Sequence, residues 1–251
     1  MKNNGIQKII DNYFSSNKVI SHYSRPRLHI GERILFKKYL KGTGRILDLF
    51  CGAGRISFVL AKRGFKVVGV DSNRKMIEKA KELQRKNKIR IKFICEDASA
   101  INFSNRFDYV LVMENSLELV PSKYKREIIM KKIYKALKKD GLFITSFHSC
   151  FLPKKMFLRL MHQNIKNCIN KLFINEYSLE FNDIFIVKKK IGKKIFFHIF
   201  TPFEIKKLIK RAGFSLYESF SSKSLTARKR IKNSFYFYFK PFFYCYYIIK
   251  K

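Results

Sequence analysis

Four residues between Arg45 and Asp71 have types and spacings suited to holding a nucleoside: Asp48, Gly52, Gly54 and Asp71. The turn Phe50-Cys51-Gly52-Ala53-Gly54 follows the apolar run RILDLF and opens the run RISFVLAKRG. Two glycines in such a turn let the backbone bend tightly and approach a ligand closely. Asp71 ends the next apolar run, KVVGVD, where a carboxylate can accept both hydroxyls of an adenosine ribose. Asp48 distinguishes between cofactors. It stands just before the turn, where a dinucleotide pyrophosphate would be repelled by a carboxylate. The cationic ammonium and sulfonium of S-adenosylmethionine would be attracted, so Asp48 favours that methyl donor over a nicotinamide dinucleotide. The third glycine of the dinucleotide fingerprint is also absent, with Ser57 in its place. The alternative for Asp48 is a structural carboxylate that satisfies loop amides.

Methyl transfer is an in-line displacement from an already activated donor, so positioning and exclusion of water do most of the work. A base matters only where the acceptor must lose a proton. Weak catalytic candidates are His148, Glu114 and Tyr23. His148 follows the fifth strand, at the carboxyl edge where open α/β sheets bind ligands, and is either a base or a hydrogen-bonded structural histidine. Glu114 either orients a substrate amine or pairs with a lysine. Tyr23, with Arg25, precedes the nucleoside-binding segment and either closes over it as a lid or packs on the surface. His198 has the same two readings as His148. Cys150 lacks the Pro-Cys context of thiolate chemistry on cytosine. The five cysteines form no CxxC pair, so a disulfide framework or zinc ribbon is not expected, no metal site is assigned, and a cytoplasmic location is expected.

The elements that must position these residues follow from periodicity. Strands are expected at 45–50, 66–71, 91–97, 107–113 and 141–147, with helices at 55–64, 73–86 and 122–139 between them. Continuous apolar strands alternating with helices make a parallel sheet covered on both faces. Residues 1–44 read as two helices, the second running from Pro26 through Leu40. Residues 148–200 break the rhythm with a helix at 153–171 and a hairpin of Tyr177–Val187 and Lys194–Phe200. Thr201 caps a helix that stops at Gly213, and strands follow at 214–220 and 242–250. One domain, 1–251, is expected: N-terminal helices or lid at 1–44, a cofactor-binding half at 45–147, an inserted cap at 148–200 and a C-terminal helix and strands at 201–251.

The chain resembles the class I S-adenosylmethionine-dependent methyltransferases over about residues 23–220, most strongly in RILDLFCGAGRISFVLAKRGFKVVGVDSNRKMIEKAKEL, then in CEDAS, FDYVLVMENSLELV and KKIYKALKKDGLFITSF. The resemblance implies a doubly wound α/β fold with a mostly parallel seven-stranded sheet of order 3-2-1-4-5-7-6, its last strand antiparallel. It implies that Asp48, Gly52 and Gly54 border the methionine portion of the cofactor and that Asp71 holds the ribose, with Ser72 and Met76 nearby. Asp97 and Ala98 would border the adenine, and Met113 and Glu114 would lie beneath the cofactor. Phe50 departs from the pattern, which commonly has glycine there.

The acceptor is read less directly. The motif used on base amino groups is missing from MENSLELV, and residues 148–200 lie where small-molecule methyltransferases carry a substrate cap. O- or N-methylation of a small molecule is therefore the leading expectation. Against it stands the charge, 54 basic and 18 acidic residues for a net +36. Such charge suits a polyanion, making an RNA methyltransferase the alternative, unless compositional drift accounts for it. A non-catalytic cofactor- or RNA-binding module is the third reading. The most apolar stretch, Phe235–Ile249, is broken by Lys240 and Pro241 and too short to span a bilayer.

Overall fold

The computed structural model describes residues 4–148, 154–173, 179–222, 225 and 244–251. Strands β1 (Arg45–Leu49), β2 (Lys66–Asp71), β3 (Lys92–Cys95), β4 (Phe107–Val112) and β5 (Leu137–His148) run parallel. The chain then forms a separate antiparallel hairpin, β6 (Asp183–Lys188) and β7 (Lys193–His198), before β8 (Ser215–Ser221) and β9 (Tyr244–Lys250) complete the main sheet. The order is β3-β2-β1-β4-β5-β9-β8, with β9 antiparallel to both neighbours. With the hairpin strands set aside, this is the expected 3-2-1-4-5-7-6.

Helices cover both faces of the sheet, as strands apolar on both sides require. Ile129, Met130 and Ile133 of α6 (Lys123–Ala136) and Leu208 and Ile209 of α8 (Pro202–Arg211) pack on one face with Leu47, Val110 and Phe143. Leu35 and Phe36 of α3 (Ile30–Tyr39), Phe58 of α4 (Arg55–Lys62) and Ile77 of α5 (Arg74–Asn87) pack on the other with Ile46, Leu111 and Ile144. A third cluster joins Tyr13 of α1 (Asn4–Phe14) and Val19 of α2 (Asn17–Tyr23) to Ile184, Ile195 and Phe197 of the hairpin and to Met76. The hairpin and the first two helices are thus packed together beside the start of α5.

Local chemistry moves several boundaries. Residues 4–23 form two helices, because the chain turns at Ser16, whose hydroxyl donates to the Tyr13 carbonyl at 2.9 Å. The next helix starts at Ile30 rather than Pro26: the Glu32 carboxylate reaches back to accept the His29 N–H at 2.8 Å, which fixes the first turn there. α6 stops at Ala136 instead of 139, since Leu137 is extended and begins β5 four residues early. β6 begins at Asp183, after Asn182 in the left-handed region (φ 71°). Tyr177, Cys150 and residues 226–243, which include much of the Phe235–Ile249 run, lie outside the described residues.

Candidate active site

A cavity opens at the carboxyl ends of β1, β2, β3 and β4, the edge at which doubly wound sheets bind ligands. Its floor is the β1–α4 turn. Phe50 and Gly52 both have positive φ there (58° and 55°), so the position that departs from the family pattern demands a conformation glycine adopts freely. Phe50 holds it at a cost of about 1–2 kcal/mol, and its ring packs against the core. Gly52 lines the cavity. Gly54 does not: its φ is 86°, and a Cβ there would come within 2.9 Å of the Phe58 and Phe93 rings. Its place is in the packing beneath the turn.

Charge is segregated at this cavity. Of a chain with 54 basic and 18 acidic residues, the cavity takes Asp11, Asp48, Asp71, Glu96, Asp97 and Glu114 but only Arg55 and Lys125. Such a lining suits a cationic ligand. Asp48 is buried, and its carboxylate accepts the Ser57 hydroxyl at 2.5 Å. Burial pushes it up to about 7, against the Ser57 bond and the Arg55 charge. A carboxylate this costly to ionise on its own is stabilised by a cation beside it, and the ammonium and sulfonium of S-adenosylmethionine fit that need.

Asp71 is more occupied than its position in the sequence suggests. One oxygen accepts the Gly52 N–H at 2.8 Å and the other the Asn73 N–H at 2.8 Å. Burial raises it to about 6, opposed by those two amides. It therefore ties the turn to the start of α5, and each oxygen keeps a lone pair for a ribose hydroxyl. Asp71→Ala is expected to weaken S-adenosylmethionine binding by about 1.5–3 kcal/mol and also to lower stability by about 1–3 kcal/mol, because two part-buried amides lose their acceptor. Calorimetry and urea titration check the pair of values, and unchanged affinity would count against the ribose role.

The two raised carboxyls also set a pH dependence. The folded chain binds protons on Asp48 and Asp71 in a range where the unfolded chain, near 3.8 for both, has released them. Their contribution to the stability of the ligand-free protein is thus full below about 4 and lost as pH rises through 6 and 7. Binding of a cation runs the other way, since it needs the ionised forms. Affinity for S-adenosylmethionine should fall as pH drops from 8.5 to 5.5, approaching about tenfold per unit for each proton taken up. Titrations in a series of buffers test this, and an affinity flat across that range would contradict it.

Ser72, Met76, Asp97, Ala98, Met113 and Glu114 also line the cavity. Asp97 accepts the Ser99 N–H and hydroxyl and pairs with Lys125 Nζ at 2.6 Å. Burial would raise it, but these partners hold it below the usual carboxylate range. Glu114, in the left-handed region with Asn115 (φ 57° for both), pairs with Arg55 at 3.0 Å and His29 at 2.9 Å rather than with a lysine. Those partners outweigh burial and keep it low. Tyr23 faces the same cavity, and burial pushes its phenol well above its ordinary range, keeping it protonated and able to donate a hydrogen bond. Arg25 is exposed and does not line the cavity.

His148 lies outside the cavity lining. The fully buried Glu118 accepts its backbone N–H and pairs with its Nδ1, each at 2.5 Å, while Tyr244 stacks on the ring at 5.6 Å. Burial lowers its pKa and the Glu118 charge raises it, with a net rise. His198 is buried against Asp183 at 2.8 Å and belongs to the hairpin's packing.

Sequence reasoning expected a lid from residues 1–44 but missed the α1 residues that face the cavity, and it missed the buried ion pairs. Gln7, Ile10, Asp11 and Phe14 of α1 face the cavity. Asn73 Nδ2 donates to Ser15 Oγ at 3.0 Å and so ties the α1–α2 junction to α5. The sequence reads as helical in residues 1–44, but nothing local told which element the first helix would meet. Arg55 reaches Glu32 through two bonds, at 2.6 and 2.8 Å, and the Arg27 carbonyl at 2.9 Å.

The comparisons with known proteins agree with this fold. Residues 46–141 match the methyltransferase domain family. YqeM of Bacillus subtilis, named as a methyltransferase, is 34% identical over 119 residues, 47% of this chain and 48% of its own. A ubiquinone biosynthesis O-methyltransferase of Pelagibacter ubique is 27% identical over 136 residues, 54% of this chain and 50% of its own. The chain therefore spans about half the length of these curated relatives. A S-adenosylmethionine-dependent methyltransferase from Methanosarcina mazei shares the fold with a TM-score of 0.68 at 23% identity, over 86% of this chain and 96% of that one. Over residues 46–141 the chain thus matches a methyltransferase domain, and with its sheet order it is similar to the class I S-adenosylmethionine-dependent methyltransferases.

Proposed function

We propose that the chain methylates an O or N atom of a small molecule. The observation that carries the reading is the acidic cavity of an otherwise basic chain, roofed by α1 and Tyr23. When bound there, S-adenosylmethionine supplies a methyl group on a sulfonium. Asp48 and Gly52 would hold the methionine portion, Asp71 and Ser72 the ribose, with Met76 packed beside it, and Asp97 and Ala98 the adenine end. Met113 and Glu114 would border the reacting centre. Phe14 and Tyr23 exclude water from it. Glu114 is a fixed acceptor for a polar acceptor group, and the Tyr23 phenol a fixed donor.

The roof supports a small acceptor, since a folded RNA would have to displace it. The basic exterior supports RNA as the second reading. For RNA, three basic clusters of the sequence, Lys188–Lys194, Lys206–Arg211 and 228–232, would have to converge; in the first Lys193 bonds the Asn12 carbonyl on α1, in the second Arg211 pairs with Glu127 on α6, and the third lies outside the described residues. Incubating the protein with methyl-labelled S-adenosylmethionine and cell extract split into small-molecule, RNA and protein fractions tests the reading. Label is expected in the small-molecule fraction. Label confined to RNA would replace it with the second reading, and binding without transfer to any fraction would favour a non-catalytic module.

A further inference from the structure

Helix α7 (Lys154–Phe173) is amphipathic in the reverse of the usual sense. Its buried face is largely polar. Asn164 exchanges two hydrogen bonds with Asn182, at 2.8 Å to its N–H and 3.2 Å to its side chain. Asn167 donates to the Glu180 and Asp183 carbonyls at 3.2 and 3.4 Å, and accepts from Gln163. Of the apolar side chains described on α7, Leu160 packs inward against the hairpin, whereas Phe157, Leu158, Met161, Ile165 and Ile169 are all exposed, Leu158 and Ile165 at 57%. Four of them recur every fourth residue, a stripe about 18 Å long at 1.5 Å per residue.

The charge around the stripe is of one sign. Arg159 and Lys166 are exposed on α7, and Lys188, Lys189, Lys190 and Lys194 are exposed on the neighbouring hairpin. The carboxylates of the described part of the cap, Glu180 and Asp183, are both engaged, with Arg126 and His198. An apolar stripe beside unopposed cations is the pattern of a helix that lies in the headgroup region of a membrane. No helix among the described residues is long and apolar enough to cross one.

From this charge complementarity we infer that α7 docks the protein on an anionic bilayer, with the stripe at the acyl boundary and Arg159, Lys166 and the hairpin lysines among the lipid phosphates. A second copy would bring a cap of the same sign against this one. RNA held by base stacking wants aromatic rings, and the stripe has one, Phe157. The inference does not depend on the methyl acceptor.

Co-sedimentation of the full chain with vesicles tests it. Binding to phosphatidylcholine vesicles containing phosphatidylglycerol should exceed binding to phosphatidylcholine alone by about tenfold or more, and should weaken with salt. The double variant Leu158→Glu/Ile165→Glu should lower it about tenfold while leaving thermal unfolding and S-adenosylmethionine binding unchanged. A second variant, Arg159→Glu/Lys166→Glu, leaves the stripe intact and should remove most of the preference for the anionic lipid. Several results would overturn the proposal. One is no preference for anionic vesicles; another is full binding by the Glu double variant. A lipid-free dimer that this variant dissolves would assign the stripe to a second copy. Vesicle binding only after deletion of 226–243 would assign it to that segment. RNA binding lost in the variant, with no vesicle binding by the unaltered chain, would assign it to RNA.

Discussion

Arg55→Ala is expected to destabilise the protein by about 3–5 kcal/mol, a loss read as an earlier urea midpoint at unchanged slope. Arg55 and Glu32 are each 2% exposed, and the guanidinium meets the carboxylate through two short bonds. It also bonds Glu114 and the Arg27 carbonyl. Truncation therefore strands one buried carboxylate, leaves a second half-partnered, and frees a carbonyl from the segment leading into α3. The energy arises from the uncompensated Glu32 charge more than from the lost contact itself. The double variant Arg55→Met/Glu32→Gln should recover much of the loss, because no buried charge is then unpaired. Equal stabilities of Arg55→Ala and the unaltered chain would show that water reaches this cluster freely.

That cluster also shows where sequence reading runs out. The βαβ unit was legible because its signal is local: apolar runs, two glycines in one turn, and carboxylates at two strand ends. The terminal strands were legible too, since two apolar runs after Gly213 had only the sheet edge beyond β5 to join. Arg55 carried no such signal. It sits at the start of an ordinary helix, and its partners come from α3 and from the second residue after β4, brought together only by the fold. The same holds for Glu118, whose buried carboxylate fixes His148 from 30 residues away in the chain. Phe50 was visible as a departure from the glycine pattern, yet only the backbone shows that the left-handed conformation is retained and the side chain tolerated. For α7, periodicity indicated a helix, but a pattern cannot say which face is turned inward when asparagines find partners on a neighbouring strand.

Asp48→Asn should move stability and cofactor affinity in opposite directions. In the ligand-free protein, the Asp48 carboxylate is buried with a hydroxyl partner and is raised to about 7, so at pH 8 its charge opposes folding. An amide of the same shape keeps an acceptor for the Ser57 hydroxyl and removes that charge. The ligand-free variant is expected to gain about 1–3 kcal/mol at pH 8, an advantage that shrinks as pH falls through 7 and is lost only near pH 4, where the aspartate of the unfolded chain is protonated as well. A group retained against stability in this way fits a binding role. The most direct test of the account is calorimetric titration of S-adenosylmethionine into both proteins at pH 8. The account predicts binding by the unaltered chain and an affinity at least tenfold weaker in the more stable Asp48→Asn variant. Equal affinities would contradict the central claim that the acidic cavity holds the cationic cofactor through Asp48.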